Sequence, residues 1–147
     1  RYHALWLLAQ LGDVELPVTA SGDGADGLVQ AWATRRGDGK LAVLVWCSTL
    51  DQTKRDGDPA LARRIRLRLT GTSSKAATIT RLDREHGDIT TLAAQLGIDE
   101  WPSVDQWDKL RTVDQLTPEQ TDVNTDGDSS VIDLVLPQPG AVLIEVG

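Results

Sequence analysis

Oxygen-bearing side chains between residues 122 and 133 have a spacing that could coordinate a metal ion. Asp122, Asn124 and Asp126 alternate along the chain, and Asp133 follows after Gly127. In a calcium loop of the EF-hand type, oxygen ligands at the first, third, fifth and twelfth positions surround one hard cation, and a glycine at the sixth allows the sharp turn. The sequence therefore predicts a candidate structural calcium site at Asp122, Asn124, Asp126 and Asp133.

The residues that follow favour a second interpretation of this segment. Residues 131–136 alternate between apolar and polar types and end at Pro137, which is typical of a β-strand, whereas a calcium loop of this kind runs into a helix. The loop resembles a dockerin repeat, but a dockerin needs a second repeat, and the sequence has none. A strand connection rich in Asp, Asn and Gly, with Asp133 on the outward side of a strand, stays open as the alternative.

His86 has carboxylates on both sides in sequence, including Asp83 and Asp88. A carboxylate could orient the imidazole ring. The surrounding residues contain no HExxH or CxxC motif and no serine or cysteine nucleophile framed by glycines. We interpret Asp83 and His86 as a hydrogen-bonded pair that fixes a turn, and we expect no catalytic residue in this chain.

The aromatic residues are dominated by tryptophan, of which there are 5, against 1 tyrosine. Trp6, Trp32 and Trp46 lie in apolar or alternating runs, so we expect them in the core. Trp101 and Trp107 lie in a polar segment and are candidates for contact with carbohydrate, because an indole ring has a large apolar face and a polar edge. Packing of this segment onto the rest of the domain is the alternative for both.

Composition bounds the classes of partner. The net charge of -7 over 147 residues repels phosphate backbones and anionic lipid surfaces, so we expect neither nucleic acid nor a membrane as partner. The longest apolar stretch, residues 41–47, is too short to cross a bilayer, so we expect a soluble chain, secreted or cytoplasmic. The single cysteine, Cys47, cannot form an intrachain disulfide, and we expect no cofactor other than the candidate calcium ion.

The elements that must position these residues are mostly strands. The sequence predicts a helix over residues 2–11, which Gly12 ends, and helices over 89–96 and 103–110, the last with Ser103 as N-cap and Gln106 three residues on. Turn residues at 36–40 and 138–140 predict two hairpins. Short alternating runs separated by turns indicate a mainly β fold, an antiparallel β-sandwich with a short N-terminal helix and a small helical insertion. The predicted strands are residues 28–34, 41–47, 64–70, 76–82, 131–136 and 141–146, with a weaker one at 14–20.

Residues 79–110 carry a family resemblance. Ile79-Thr80-Arg81-Leu82-Asp83 runs into a His86 turn, then Leu96-Gly97, then Trp101-Pro102-Ser103-Val104-Asp105-Gln106. This order resembles the C-terminal region of glycoside hydrolase family 39, the β-xylosidases and α-L-iduronidases. Residues 134–137 and 141–146 look like the family's last two strands, and residues 2–12 are similar to the last helix of its (β/α)8 barrel. The sequence departs from the family at Ala93-Ala94, at Gly87-Asp88 and at Cys47.

The resemblance implies a division into the terminal helix of a (β/α)8 barrel, residues 1–12, and a β-sandwich accessory domain, residues 13–147. Family members are retaining glycosidases whose two catalytic glutamates lie on barrel strands, and no glutamate of this chain matches those positions. The implied function is a non-catalytic scaffold whose partner is its own barrel, in a parent β-xylosidase that acts on xylan-derived sugars. An autonomous carbohydrate-binding module and a calcium-stabilised interaction module are the alternatives.

Overall fold

The computed structural model describes residues 2–147, and within them the chain forms three helices and nine strands. In chain order these are α1 (Tyr2–Ala9), β1 (Val14–Leu16), β2 (Val29–Arg35), β3 (Leu41–Cys47), β4 (Arg63–Thr70), β5 (Ala76–Leu82), α2 (Ile89–Gln95), α3 (Val104–Val113), β6 (Glu119–Asp122), β7 (Asn124–Asp126), β8 (Ser129–Leu136) and β9 (Gly140–Val146). Short 3-10 turns lie at Gln52–Lys54 and Pro59–Leu61.

The strands form two antiparallel sheets. The larger sheet has six strands in the order β1-β2-β3-β9-β5-β6, and the smaller has three in the order β4-β8-β7. Buried side chains from both sheets, such as Val43, Ile144 and Ile132, form one core between them. The structure thus confirms the predicted fold class, a mainly β antiparallel sandwich with an N-terminal helix and a helical insertion.

The hydrophobic pattern explains where β3 and β4 lie. Strand β3 is apolar throughout because Val43 and Val45 face the core while Ala42 and Leu44 face a second apolar cluster under α1. In β4, arginines alternate with Ile65, Leu67 and Leu69. A strand with one solvated face shows this alternation, and the three arginines at 64, 66 and 68 are exposed.

Helix α1 packs on the outer face of the six-stranded sheet through Leu7, which is 1% exposed and contacts the cluster that contains Leu44 and Leu143. After the helix the chain passes close to β2 at Gly12, where a Cβ atom would lie 2.3 Å from the carbonyl oxygen of Arg35. Only glycine fits so close to another backbone. The helix ends at Ala9, two residues before the predicted end.

The helical insertion lies between β5 and β6. Asp88 caps α2, and Ser103 caps α3 in a capping box in which the Ser103 hydroxyl accepts from the Gln106 amide and the Gln106 side chain accepts from the Ser103 amide. Such a box satisfies two otherwise unpaired donors at the helix start. The predicted helix start at residue 103 is therefore explained by its cap.

Two sequence expectations are corrected by the topology. The 36–40 turn joins β2 to β3 as a hairpin, but the 138–140 turn does not, because β8 belongs to the smaller sheet and β9 to the larger. This turn crosses from one layer of the sandwich to the other. The weak strand at 14–20 is only Val14–Leu16. No helix within residues 2–147 is long and apolar enough to span a membrane.

Candidate functional site

Three connections at one end of the sandwich enclose a groove of about 710 Å3. Its walls come from residues 57–62 before β4, from residues 81–86 at the end of β5, and from residues 135–139 between β8 and β9. We call it the His86 groove. Because β4, β5 and β9 all have an end here, the position of the groove follows from the strand register.

The structure brings the predicted pair His86 and Asp83 together at this groove. Nδ1 of His86 lies 2.7 Å from Oδ1 of Asp83, and the same oxygen accepts the backbone N–H groups of Glu85 and His86 at 2.9 and 3.0 Å. The Asp83 side chain is 8% exposed. A carboxylate can only accept, so Nδ1 carries the proton in this contact. The contact is that of a turn organiser, and its function stays a prediction.

Hydroxyl and thiol nucleophiles are absent from the part of the groove that the structure describes. Among the described residues, no serine, threonine or cysteine side chain lines it. Cys47 is buried elsewhere, where its S–H donates to the carbonyl of Leu61 at 3.5 Å, and burial raises the pKa of its thiol. A thiol needs a lowered pKa to act as a nucleophile near neutral pH. Cys47 is therefore a packing residue.

Trp101 and Trp107 form an edge-to-face pair, with ring centroids 5.9 Å apart and planes at 74°. Trp107 is half-buried on α3, whereas Trp101 is 81% exposed just before that helix. The edge of one ring against the face of the other is a favourable aromatic geometry. The pair leaves one indole open to solvent, and its contact with carbohydrate stays a prediction.

Trp32 corrects the expectation that the other three tryptophans are core. Trp6 and Trp46 are half-buried against the cluster under α1, but Trp32 on β2 is 43% exposed. It borders a depression of about 310 Å3 together with Gln30 and Trp46. The alternation of β2 places Trp32 on the outer face, and the pattern alone does not reveal that the α1 cluster reaches β3 and β9 without covering β2.

The four predicted calcium ligands are distributed over three strands. Asp122 ends β6 in the larger sheet, Asn124 and Asp126 lie on β7, and Asp133 lies on β8 in the smaller sheet. Residues 124–131 form a β-hairpin at Gly127, whose φ is 61°. Within residues 2–147 no group of three or more His, Cys, Asp or Glu residues could hold a metal ion. The segment continues as a strand, and calcium binding stays an untested prediction.

Two of these carboxylates already have cationic partners on β4. Asp126 pairs with Arg68, and Asp133 accepts from the Nε and terminal nitrogen of Arg66 at 2.8 and 3.1 Å. The hydrogen bond from Arg66 lowers the pKa of Asp133. The Arg66–Asp133 pair joins the neighbouring strands β4 and β8, as cross-strand ion pairs do, and the Arg68–Asp126 pair reaches over β8 from β4 to β7. These pairs were not predicted from the sequence, although the alternating arginines of β4 were their signal.

The fold defines a class: a two-sheet β-sandwich with a helix packed on the outer face of one sheet and a helical insertion between two of its strands. No family model and no curated protein sequence matches the chain. Solved structures do, among them enzymes of glycoside hydrolase family 39 and a bacterial orthologue of human α-L-iduronidase.

Three of these structures show the extent of the likeness. A GH39 enzyme from Xanthomonas axonopodis pv. citri shares 18% identity with a TM-score of 0.69, over 99% of this chain and 29% of its own. A GH39 β-xylosidase from Caulobacter crescentus shares 21% identity with a TM-score of 0.68, over 99% of this chain and 27% of its own. A bacterial orthologue of human α-L-iduronidase shares 20% identity with a TM-score of 0.66, over 95% of this chain and 25% of its own. The resemblance seen in the sequence is confirmed at the level of the fold, and the chain spans between a quarter and a third of these enzymes.

Proposed function

We propose that this chain is a non-catalytic accessory domain of a family-39-like glycoside hydrolase, with a parent enzyme of the β-xylosidase type that acts on xylan-derived sugars. One observation supports this most: 99% of the chain matches only 29% of a GH39 enzyme. A match that covers nearly all of one chain and less than a third of the other is expected when the first is a domain of a larger enzyme. We place it at the C-terminal end of the parent, following the sequence resemblance.

Catalysis in such a parent would come from outside this chain. A retaining glycosidase needs two carboxyl groups about 5 to 5.5 Å apart on either side of the scissile bond. In the His86 groove, Asp83 is committed to His86 and to two backbone amides. We assign the catalytic pair to the (β/α)8 barrel of the parent.

The scaffold role would be carried by α1. Leu7 anchors this helix to the sandwich, while Tyr2 and Leu5 on its other side are 74% and 65% exposed. A helix that is apolar on nearly all sides is usually covered on all sides. In our proposal, residues 1–12 belong to the barrel and residues 13–147 to the accessory sandwich, and α1 joins the two units.

The isolated chain tests this proposal directly. We expect no hydrolysis of aryl β-xylosides above the rate of a blank. The Asp83→Asn variant is the control: a trace activity that persists in it arises from a contaminant or from a residue other than Asp83. Turnover that co-purifies with the chain would overturn the non-catalytic assignment, and its loss in D83N would assign it to Asp83.

The exposed indole of Trp101 supports a second candidate, an autonomous carbohydrate-binding module. Sugar rings stack on exposed tryptophan faces, and Trp107 would hold the Trp101 ring in place from its edge. Calorimetric titration with xylo-oligosaccharides separates the two candidates, because a scaffold gives no heat. Binding that Trp101→Ala abolishes would favour the module. Leu50→Ala is the matched control, since Leu50 is 94% exposed and lies outside the pair.

A further inference from the structure

We propose that the His86 groove binds a small molecule that carries a carboxylate, with Arg81 and Arg84 as the residues that bind it. The groove of about 710 Å3 lies in the size range of small-molecule sites, which are mostly apolar with a few convergent polar groups. This inference does not depend on the function proposed above, because it rests on the groove alone.

The arginines that line the groove are Arg81 and Arg84. Arg81 and Arg84 donate to the backbone carbonyls of Val135 and Asp56, and within residues 2–147 neither guanidinium lies in an ion pair. Of the three carboxylates that line the groove, Asp58 pairs with Lys54 at 2.5 Å and Asp83 with His86. Glu85 is exposed at the rim. In the part of the chain that the structure describes, neither guanidinium has its N–H groups taken up by an ion pair, whereas two of the three carboxylates are already bonded to Lys54 and His86.

Each of the two guanidinium groups makes one backbone hydrogen bond before any ligand arrives. Each uses one terminal nitrogen for a backbone carbonyl, which leaves its other N–H groups for a ligand. Guanidinium groups match planar carboxylates with two parallel hydrogen bonds. A side chain whose position is already fixed loses less conformational entropy on binding.

The walls of the groove are fixed by Gln138, which is 5% exposed. Its side-chain oxygen accepts the Asp58 amide at 3.1 Å, and its side-chain nitrogen donates to the Lys54 carbonyl at 3.4 Å. These bonds tie the connection before β4 to the connection between β8 and β9. The cavity is therefore a preformed feature of the fold and does not require loop closure.

The rest of the lining is apolar and defines the body of the ligand. Pro59, Pro137 and Pro139 line the groove together with Ala62 and Val135. Rigid apolar walls next to fixed cations suit a molecule with a compact ring and one carboxylate group. Benzoate and glucuronate are such molecules, one with an aromatic body and one with a hydroxylated body, and benzamide and glucose are their neutral counterparts.

Calorimetric titration of the chain with these four compounds tests the inference. We expect at least one carboxylate to bind, and its neutral counterpart to bind at least about tenfold more weakly, because charge-assisted hydrogen bonds are the strong ones. Binding of benzoate would show that the groove accepts an aromatic ring next to the carboxylate, and binding of glucuronate would show that it accepts a hydroxylated ring. Arg81→Gln and Arg84→Gln should each reduce the affinity about tenfold. Arg35→Gln, which removes the same charge from an exposed residue on β2, should not.

Three outcomes would overturn the inference: no binding of either carboxylate at millimolar concentration, equal binding of the neutral counterpart, or equal losses in all three arginine variants. If circular dichroism shows that a variant does not fold, the comparison of each carboxylate with its neutral counterpart on the wild-type chain still tests the inference. Amide chemical shifts of Gly57 and His86 at the groove should move on titration, while those of Gly127 on the distant hairpin should not.

Discussion

Nε2 of His3 lies 2.5 Å from Oδ1 of Asp114, so that a hydrogen bond joins α1 to the C-cap of α3 across 111 positions of the chain. The His3 side chain is 13% exposed and that of Asp114 is 51% exposed. The N-terminal helix and the helical insertion are thus fastened to each other as well as to the larger sheet.

Removal of this contact should loosen both elements. We expect Asp114→Ala to reduce the free energy of unfolding by about 1 kcal/mol, the usual net value of a side-chain hydrogen bond. His3→Ala should cost a similar amount, and the double variant should cost less than the sum, as coupled residues do. Urea unfolding of the four proteins measures this. Strict additivity would show that the contact contributes nothing, and Asp99→Ala, an exposed carboxylate nearby in sequence, is the control.

The packing of α1 gives a second prediction. Leu7→Ala should reduce the free energy of unfolding by about 2 to 5 kcal/mol, because it removes a fully buried side chain and leaves a cavity above β3 and β9. Leu5→Ala on the same helix should change it by less than about 0.5 kcal/mol, since Leu5 is 65% exposed. Equal effects of the two substitutions on chemical denaturation would show that α1 is not docked on the sheet in solution.

The Arg66–Asp133 pair predicts a pH dependence. The hydrogen bond from Arg66 lowers the pKa of Asp133 in the folded state. The stabilisation is then complete above the unfolded pKa, about 4, and is lost as the pH falls through the lower folded pKa. Asp133→Asn should therefore lower Tm slightly at pH 7, and the difference from wild type should vanish in strong acid.

Arg66→Gln removes the same pair from the other side. It should reproduce the Tm decrease of Asp133→Asn at pH 7, and the double variant should show no further decrease. Because both side chains are largely exposed, at 74% and 51%, the effect is small and should fall with added salt. A Tm difference that persists unchanged at pH 2 would contradict the pairing.

Calcium is tested by melting the chain with chelator and with added ion. We expect Tm to be the same in EDTA and in excess CaCl2, because Asp126 and Asp133 already pair with Arg68 and Arg66. A ligand that binds only the folded state would raise Tm with its concentration. An increase with calcium that magnesium does not reproduce, and that Asp126→Asn abolishes, would support the predicted calcium site.

The sequence predicted most of the fold where hydrophobic residues recur with the period of a strand or a helix. The alternation in β4 and the capping box at Ser103 each predicted the observed element. Strands β6 and β7 were missed because Glu119–Asp122 and Asn124–Asp126 are polar on both faces. Such strands exist because partners on β5 and β8 supply their hydrogen bonds, and propensity alone does not report a partner.

Less of the candidate site could be predicted from the sequence. The contact of His86 with Asp83 is local and could be foreseen from their spacing. The groove is formed by three connections that the sequence separates by tens of residues. The packing of the two sheets brings Arg81 next to Val135, and the pairing of β4 with β8 brings the connections that carry Asp58 and Gln138 together. The 138–140 turn shows the same limit, since a turn motif does not say which sheet receives the next strand.

Strand β9 follows β3 and β5 in the chain yet lies between them and pairs with both along its length. During synthesis, the two halves of the larger sheet have no shared partner until residues 140–146 have left the ribosome. Their facing edges are unpaired strand edges, which readily recruit other chains. The nascent chain therefore passes through a period of exposure to aggregation, and insertion of this one strand closes the sheet and ends that period.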